Sequence, residues 1–200
     1  MSIRTKIGNL YARLRHPALA PSFAVPSHLT GLERAELFRL AQRPGLRTVV
    51  EIGSYLGASA LALAQGLKAA GNTAARVYCI DTWQNEGMSE GPADHMATFR
   101  RNAAPYGALI VAVRGRSTDV AAELLARIGP IDLLFVDGDH SYGGALADWQ
   151  TFGPAMAPGG VAAFHDIGWA EGVQRVVAEE LRPKVVAQGG QPNLWWGRLK

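Results

Sequence analysis

The sequence is poor in cysteine, holds no long apolar run, and is without acid over its first thirty-two residues. Cys79 is the single cysteine, which excludes an internal disulfide and fits a reducing compartment, so the cytoplasm is the expected location. No apolar stretch reaches the roughly 18 residues a membrane-spanning helix needs. The N-terminus shows no signal-peptide core with a cleavage site. Arg4, Lys6, Arg13 and Arg15 all precede the first acid, Glu33. The net charge of +3 is therefore a property of the N-terminal arm, because the other 16 basic residues stand against all 17 acids. There is no basic groove interleaved with aromatics, and nucleic acid is not an expected partner.

What is present suits a single large α/β core. Ile3, Ile7, Leu10, Tyr11 and Leu14 alternate with the early basic residues as an amphipathic helix would. Such a helix can pack on its own domain, on a twin subunit in a homodimer, or on an anionic membrane surface. His16 to Pro26 carries three prolines, Pro17, Pro21 and Pro26, and reads as an irregular connector. Thr30 followed by Glu33 is a capping box, which predicts a helix to about Gln42, stopped by Arg43-Pro44-Gly45. Residues 1–43 thus form a basic arm and helix, and residues 44–200 the main unit.

That unit alternates strand and helix. Strands are expected at Thr48–Ile52, Arg76–Ile80, Leu109–Val113, Ile131–Val136 and Gly160–Phe164. Helices are expected at Ala58–Ala70, His95–Ala103, Thr118–Ile128, Tyr142–Phe152 and Glu171–Leu181. Val185–Ala187 and Leu194–Leu199 read as a closing antiparallel hairpin. Near-continuous apolar strands between helices imply a Rossmann-like, mostly parallel sheet with helices on both faces. Ligands bind such sheets beyond the carboxyl ends of the strands. The polar residues collect there: Glu51 and Gly53, Asp81, Asp137 and Asp139, His165 and Asp166.

The loop Glu51-Ile52-Gly53-Ser54-Tyr55-Leu56-Gly57 does not have dinucleotide-binding spacing, which would need glycine where Tyr55 and Ala58 stand. An NAD-dependent oxidoreductase is therefore the weaker alternative, beside a non-catalytic cofactor-binding subunit. Asp81 is placed to accept hydrogen bonds from two ribose hydroxyls. Thr82 and Trp83 follow it, and Trp83 offers a flat face. Each of these residues also has a plain structural use, as a tight turn or a loop cap. Gln84–Asp94 (QNEGMSEGPAD), which contains Met88, is long and polar and reads as a lid.

VVEIGSYLGASA, YCIDTW, GRSTDV, FVDGDHSY and MAPGGVAAFHD, in this order, resemble class I S-adenosylmethionine-dependent methyltransferases. The nearest likeness is to the small bacterial group with a DGDHSY strand and a PGG-x-HD strand, the cephalosporin-cluster, macrocin and novobiocin O-methyltransferases. The resemblance covers about residues 45 to 199. It implies a seven-stranded sheet and S-adenosylmethionine as cofactor. It implies that Glu51, Gly53, Ser54, Tyr55 and Ser59 shape the methionine side of the pocket, with Asp137 also close. Asp81, with Thr82, would take the ribose, Trp83 would flank the adenine, and Ser117 would meet its edge.

The resemblance also implies a divalent-metal site. Asp137 precedes the adjacent pair His165 and Asp166 by 28 and 29 residues, the spacing of the metal ligands in cation-dependent relatives. A dication there makes a bound hydroxyl easier to deprotonate. Magnesium is the ion the relatives suggest, but an imidazole suits zinc, iron or nickel better, so the ion's identity stays open. His165 can equally be a base or a supporting histidine. His140 stands where related enzymes carry their general base, with Asp137 as its catalytic companion. Asp139 can cap the next helix. The expected activity is O-methylation of a small hydroxylated acceptor, such as a sugar or a glycosylated metabolite, with Trp169 lining its pocket.

Overall fold

The computed structural model describes residues 3–84 and 93–200, with side chains from residue 6 onward. The lid expected within Gln84–Asp94, Met88 included, falls largely outside the described residues. Seven strands form one sheet in the order β3-β2-β1-β4-β5-β7-β6. They are β1 (Thr48–Ile52), β2 (Arg76–Asp81), β3 (Ile110–Arg114), β4 (Ile131–Val136), β5 (Met156–His165), β6 (Val185–Gln191) and β7 (Leu194–Leu199). β1 to β5 pair in parallel, while β7 runs antiparallel to both β5 and β6. This is the mostly parallel, Rossmann-like sheet with a closing hairpin that the sequence predicts. β5 is longer than expected because Met156 already pairs with Ile131, and β6 because Gly189 and Gly190 still pair with Trp196 and Trp195.

The helices are α1 (Ile3–Arg15), α2 (Ala20–Ala24), α3 (Gly31–Ala41), α4 (Ala58–Ala69), α5 (Met96–Ala103), α6 (Ser117–Arg127), α7 (Tyr142–Phe152) and α8 (Glu171–Val176). A π-helical turn, Val177–Leu181, extends α8. The strand pleat sorts the apolar residues to two faces. Leu133, Phe135, Val161 and Ala163 join the core beneath α3 and α4. Leu134, Val136, Ala162 and Phe164 join the core beneath α6, α7 and α8. β1 is buried at every position, the polar Thr48 and Glu51 included. Trp195 lies in the second core, and Trp196 packs on the first.

The connector is more ordered than its prolines suggest. Pro17 opens a short 3-10 turn and Pro21 sits in the first turn of α2; both positions would have had no intrahelical partner for an N–H. Arg34, buried on α3, gathers the connector by donating to the carbonyls of Ser22, Val25 and Leu29. Ser22 in turn donates to Ala58 O at the head of α4 (2.7 Å). Leu37, Phe38 and Leu40 of α3 share one core with Leu63 and Leu67 of α4, so hydrophobic packing runs across the division at residue 43. The capping box is complete: Thr30 accepts from Glu33 N, and Glu33 Oε2 accepts from Thr30 N (2.6 Å).

Candidate active site

β1 and β4 are neighbours whose connections leave in opposite directions, and a crevice opens beyond their carboxyl ends, as such topologies dictate. It is a cleft of about 1090 Å³, lined from Pro26 to Asn193. Glycine is required at its floor. Gly53 has φ +87°, and a Cβ on it would stand 1.9 Å from Asp137 O. Tyr55, Trp83 and Asp166, each at the tip of a strand, hold positive φ without being glycine. Such conformations cost of order 1–3 kcal/mol each and gather at functional sites.

At one end of the cleft lie Gly53, Ser54, Tyr55, Ser59, Asp81, Thr82, Trp83 and Ser117, all on its lining. Asp81 accepts from Tyr55 N through Oδ2 and from Trp83 N through Oδ1, both at 2.7 Å. Each oxygen keeps a lone pair for a further donor. Trp83 is buried rather than presented flat: its ring packs on Phe99 and its Nε1 donates to Tyr55 O (2.8 Å). Ser117 donates to Asp148 Oδ1. Burial pushes the Asp148 carboxyl up to about 6. Nothing in the sequence marked Asp148, a lone acid on a helix.

Glu51 lies behind this wall, fully buried and off the cleft. Ser54 Oγ donates to its Oε2 at 2.5 Å, so Glu51 can reach a ligand only through the loop it supports. Desolvation raises its carboxyl to about 7 against the Ser54 hydrogen bond. The folded chain therefore keeps a proton that the unfolded chain releases. Stability should fall as pH rises from about 4.5 through about 7, by on the order of 3 kcal/mol. Glu51→Gln should lose that slope. Urea unfolding of both forms at pH 5 and pH 8 checks this, and parallel pH dependences would refute it.

At the other end Asp137, His140, His165 and Asp166 come together. Phe135 of β4 pairs with Ala163 of β5, so two residues on, Asp137 and His165 share one face of the sheet. That face looks toward α3, and His165 is accordingly buried there, with Nε2 3.5 Å from Glu33 Oε2 and Nδ1 3.1 Å from Asp137 Oδ1. Burial opposes charge on this ring, but Asp137, Asp166 and Glu33 outweigh it and push His165 up to about 12. Burial conversely raises Asp137. Asp166 turns back into the cleft. Its Oδ2 accepts from His140 Nε2 (2.7 Å) and lies 3.2 Å from His165 Nδ1. Its Oδ1 accepts from Trp169 Nε1 (2.6 Å) and Asn193 Nδ2 (2.9 Å). Against the cost of burial, these donors hold Asp166 well below the usual carboxylate range. The hydrogen bond to Asp166 raises His140.

A second grouping suits a cation beside the one expected from the sequence. Among the described residues, the ligand atoms of Asp137, His140 and Asp166 lie within 4.8 Å of one another. Two carboxylates and an imidazole at that spacing suit one divalent ion with open positions. His165, expected as the third ligand, also lines the cleft, with Nδ1 against both carboxylates and Nε2 toward Glu33. Asp139 accepts from Ser141 N (2.8 Å), and Ser141 caps α7, which leaves His140 free to face the cleft. Trp169 borders the cleft with its ring 5.1 Å from that of His140. Tyr142 turns away and donates to Glu179. Sequence reasoning took Glu33 for a cap alone and Asn193 for a turn residue, and no local pattern separates those roles from a place beside the site.

The strand order and the crevice at the β1/β4 switch point define a doubly wound α/β protein. Residues 50–167 match the family model described as a methyltransferase domain, and the chain belongs to that family. An uncharacterized protein, y4gI, of Sinorhizobium fredii is 30% identical over 167 residues, 79% of this chain; the chain spans only 18% of that relative's length. An O-methyltransferase from Bacillus cereus, solved in complex with SAH, has TM-score 0.72 at 18% identity, over 96% of each chain. CalS11, a TDP-rhamnose 3'-O-methyltransferase of calicheamicin biosynthesis, has TM-score 0.67 at 17% identity, over 84% of this chain and 77% of its own. At these identities the structures show a shared fold.

Proposed function

We propose that the chain is an S-adenosylmethionine-dependent O-methyltransferase acting on a hydroxyl of a small, sugar-like acceptor. The observation that carries this reading is one cleft with two unlike ends, a hydroxyl-accepting Asp81 beside the Gly53 loop and the His140–Asp166 pair beside Asp137. At about 1090 Å³ the cleft stands at the upper end of ligand-pocket volumes. The methyltransferase-domain match supports the activity, and the sugar O-methyltransferase among similar folds supports the acceptor class.

S-adenosylmethionine supplies an electrophilic methyl group on a positively charged sulfur. The chain's own residues supply alignment and proton transfer. Asp166 holds the Nε2 side of His140, leaving Nδ1 to accept the acceptor's hydroxyl proton. The freed oxygen forms its bond to the methyl carbon as the carbon–sulfur bond breaks, and the electron pair goes to sulfur. Holding oxygen, carbon and sulfur in line is the larger part of the rate gain. A divalent ion, magnesium by the family likeness, would be held by the carboxylates of Asp137 and Asp166 and would acidify the acceptor hydroxyl, which leaves His140 Nδ1 for the proton.

Calorimetric titration of S-adenosylhomocysteine into chelator-treated protein, repeated with magnesium, manganese or zinc, tests the proposal. Micromolar binding is the expected result. Binding indifferent to every metal would keep the cofactor assignment and count against the ion, and no binding under any condition would overturn the reading itself.

A further inference from the structure

Helix α1 is mounted with its apolar side outward. Gly8, Asn9 and Ala12 face α3. A Cβ on Gly8 would come within 3.0 Å of Leu32, Asn9 Oδ1 accepts from Gly31 N at the head of α3, and Ala12 is 1% exposed. The opposite face carries Ile7, Leu10, Tyr11 and Leu14, at 63%, 59%, 59% and 75% exposure. These positions follow the i, i+3, i+4, i+7 rule and form one continuous stripe. At 100° per residue, Lys6 and Arg13 flank the stripe on one side and Arg15 on the other, and all three are exposed. No acid occurs on the helix or anywhere before Glu33.

We infer that α1 docks the protein, lying in the plane of the surface, on an anionic lipid bilayer. A stripe of large apolar side chains bordered by cations on both edges matches a surface that is apolar beneath and negatively charged at the headgroups. Scattered exposed apolar residues are ordinary, but four in register on one helix are not. A second copy of the chain fits less well. Pairing two α1 stripes would bring like-charged borders together with no acid on either helix to offset them. Four side chains would also supply only part of the roughly 800 Å² per partner that a stable interface buries. The inference is independent of the proposed activity.

Co-sedimentation of the full chain with vesicles decides the matter. Vesicles of phosphatidylcholine and phosphatidylglycerol at 7:3 should carry the protein down at least tenfold better than phosphatidylcholine alone, and 1 M salt should release most of it. Leu10→Glu with Leu14→Glu should reduce the bound fraction at least tenfold. Because both sites are exposed, the melting temperature and near-ultraviolet circular dichroism should stay unchanged. Lys6→Gln, Arg13→Gln and Arg15→Gln together should remove the preference for the anionic vesicles. Equal binding to both vesicle types, or none to either, would overturn the inference. So would sedimentation equilibrium showing a dimer that the leucine substitutions convert to monomer, which would assign the stripe to a second copy.

Discussion

Asp166→Asn should lower the rate of methyl transfer by about a hundredfold to a thousandfold, because His140, the proton acceptor, loses the partner that orients its ring. Donors from His140, His165, Trp169 and Asn193 converge on this carboxylate. An amide can replace one oxygen only by turning an N–H₂ toward at least one of those donors. The backbone is a smaller concern, because Asp166 has φ +59° and asparagine tolerates the left-handed region. The pH dependence gives a second readout. The general base acts in its neutral form, so the rate should rise with pH through the His140 pKa, which its bond to Asp166 lifts above 6.5. Asp166→Asn should move that rising limb to lower pH while the plateau drops. NMR titration of the His140 ring protons reads the same shift without any acceptor. An unmoved limb and an unmoved ring pKa would separate His140 from Asp166 functionally.

The second large effect is expected from Gly53→Ala. Alanine at φ +87° is strained wherever it stands, and here its Cβ would meet the Asp137 carbonyl oxygen at 1.9 Å. Backbone cannot swing aside as a flexible side chain can. The tip of β4 or the loop after β1 must move, and each carries part of the site. A cost of about 3–4 kcal/mol follows from backbone incompatibility combined with overpacking, or a fall in melting temperature of roughly 10 °C for a chain of this size. S-adenosylhomocysteine affinity should fall at least tenfold even where the variant stays folded. A melting temperature within 2 °C of the parent's, with affinity intact, would show that the loop yields without consequence.

The parts of the molecule legible in the sequence are those governed by local rules. The alternation of apolar strands with capped helices gave the sheet, and the sudden change to Asp137 after Val136 and to His165-Asp166 after Phe164 gave the strand tips. Thr30 and Glu33 gave the start of α3. Contributions that depend on closure across the fold were not legible. Glu33 satisfies its helix cap completely, so nothing in the pattern signals that the same carboxylate also meets His165. Asn193 reads as a hairpin turn until β7 pairs with β5 and sets it against Asp166. The place of His165 has a local cause that could have been foreseen: residues alternate across a strand, so His165 shares the face of Ala163 and meets Asp137 and Glu33 there. The connector missed by sequence reasoning shows the converse, since its prolines occupy first-turn positions where they do no harm.

The pairing order of the strands also sets a timetable for synthesis. β5 is covered on one side by β4, which is made before it, and on the other by β7, which is made after it. A ribosome adding about 5–20 residues each second leaves a few seconds between the completion of β5 and the arrival of β7. Throughout that interval Val161 to His165 present a bare, mostly apolar edge of the kind that recruits other strands. The nascent chain is then both unfinished at its site and most open to mispairing.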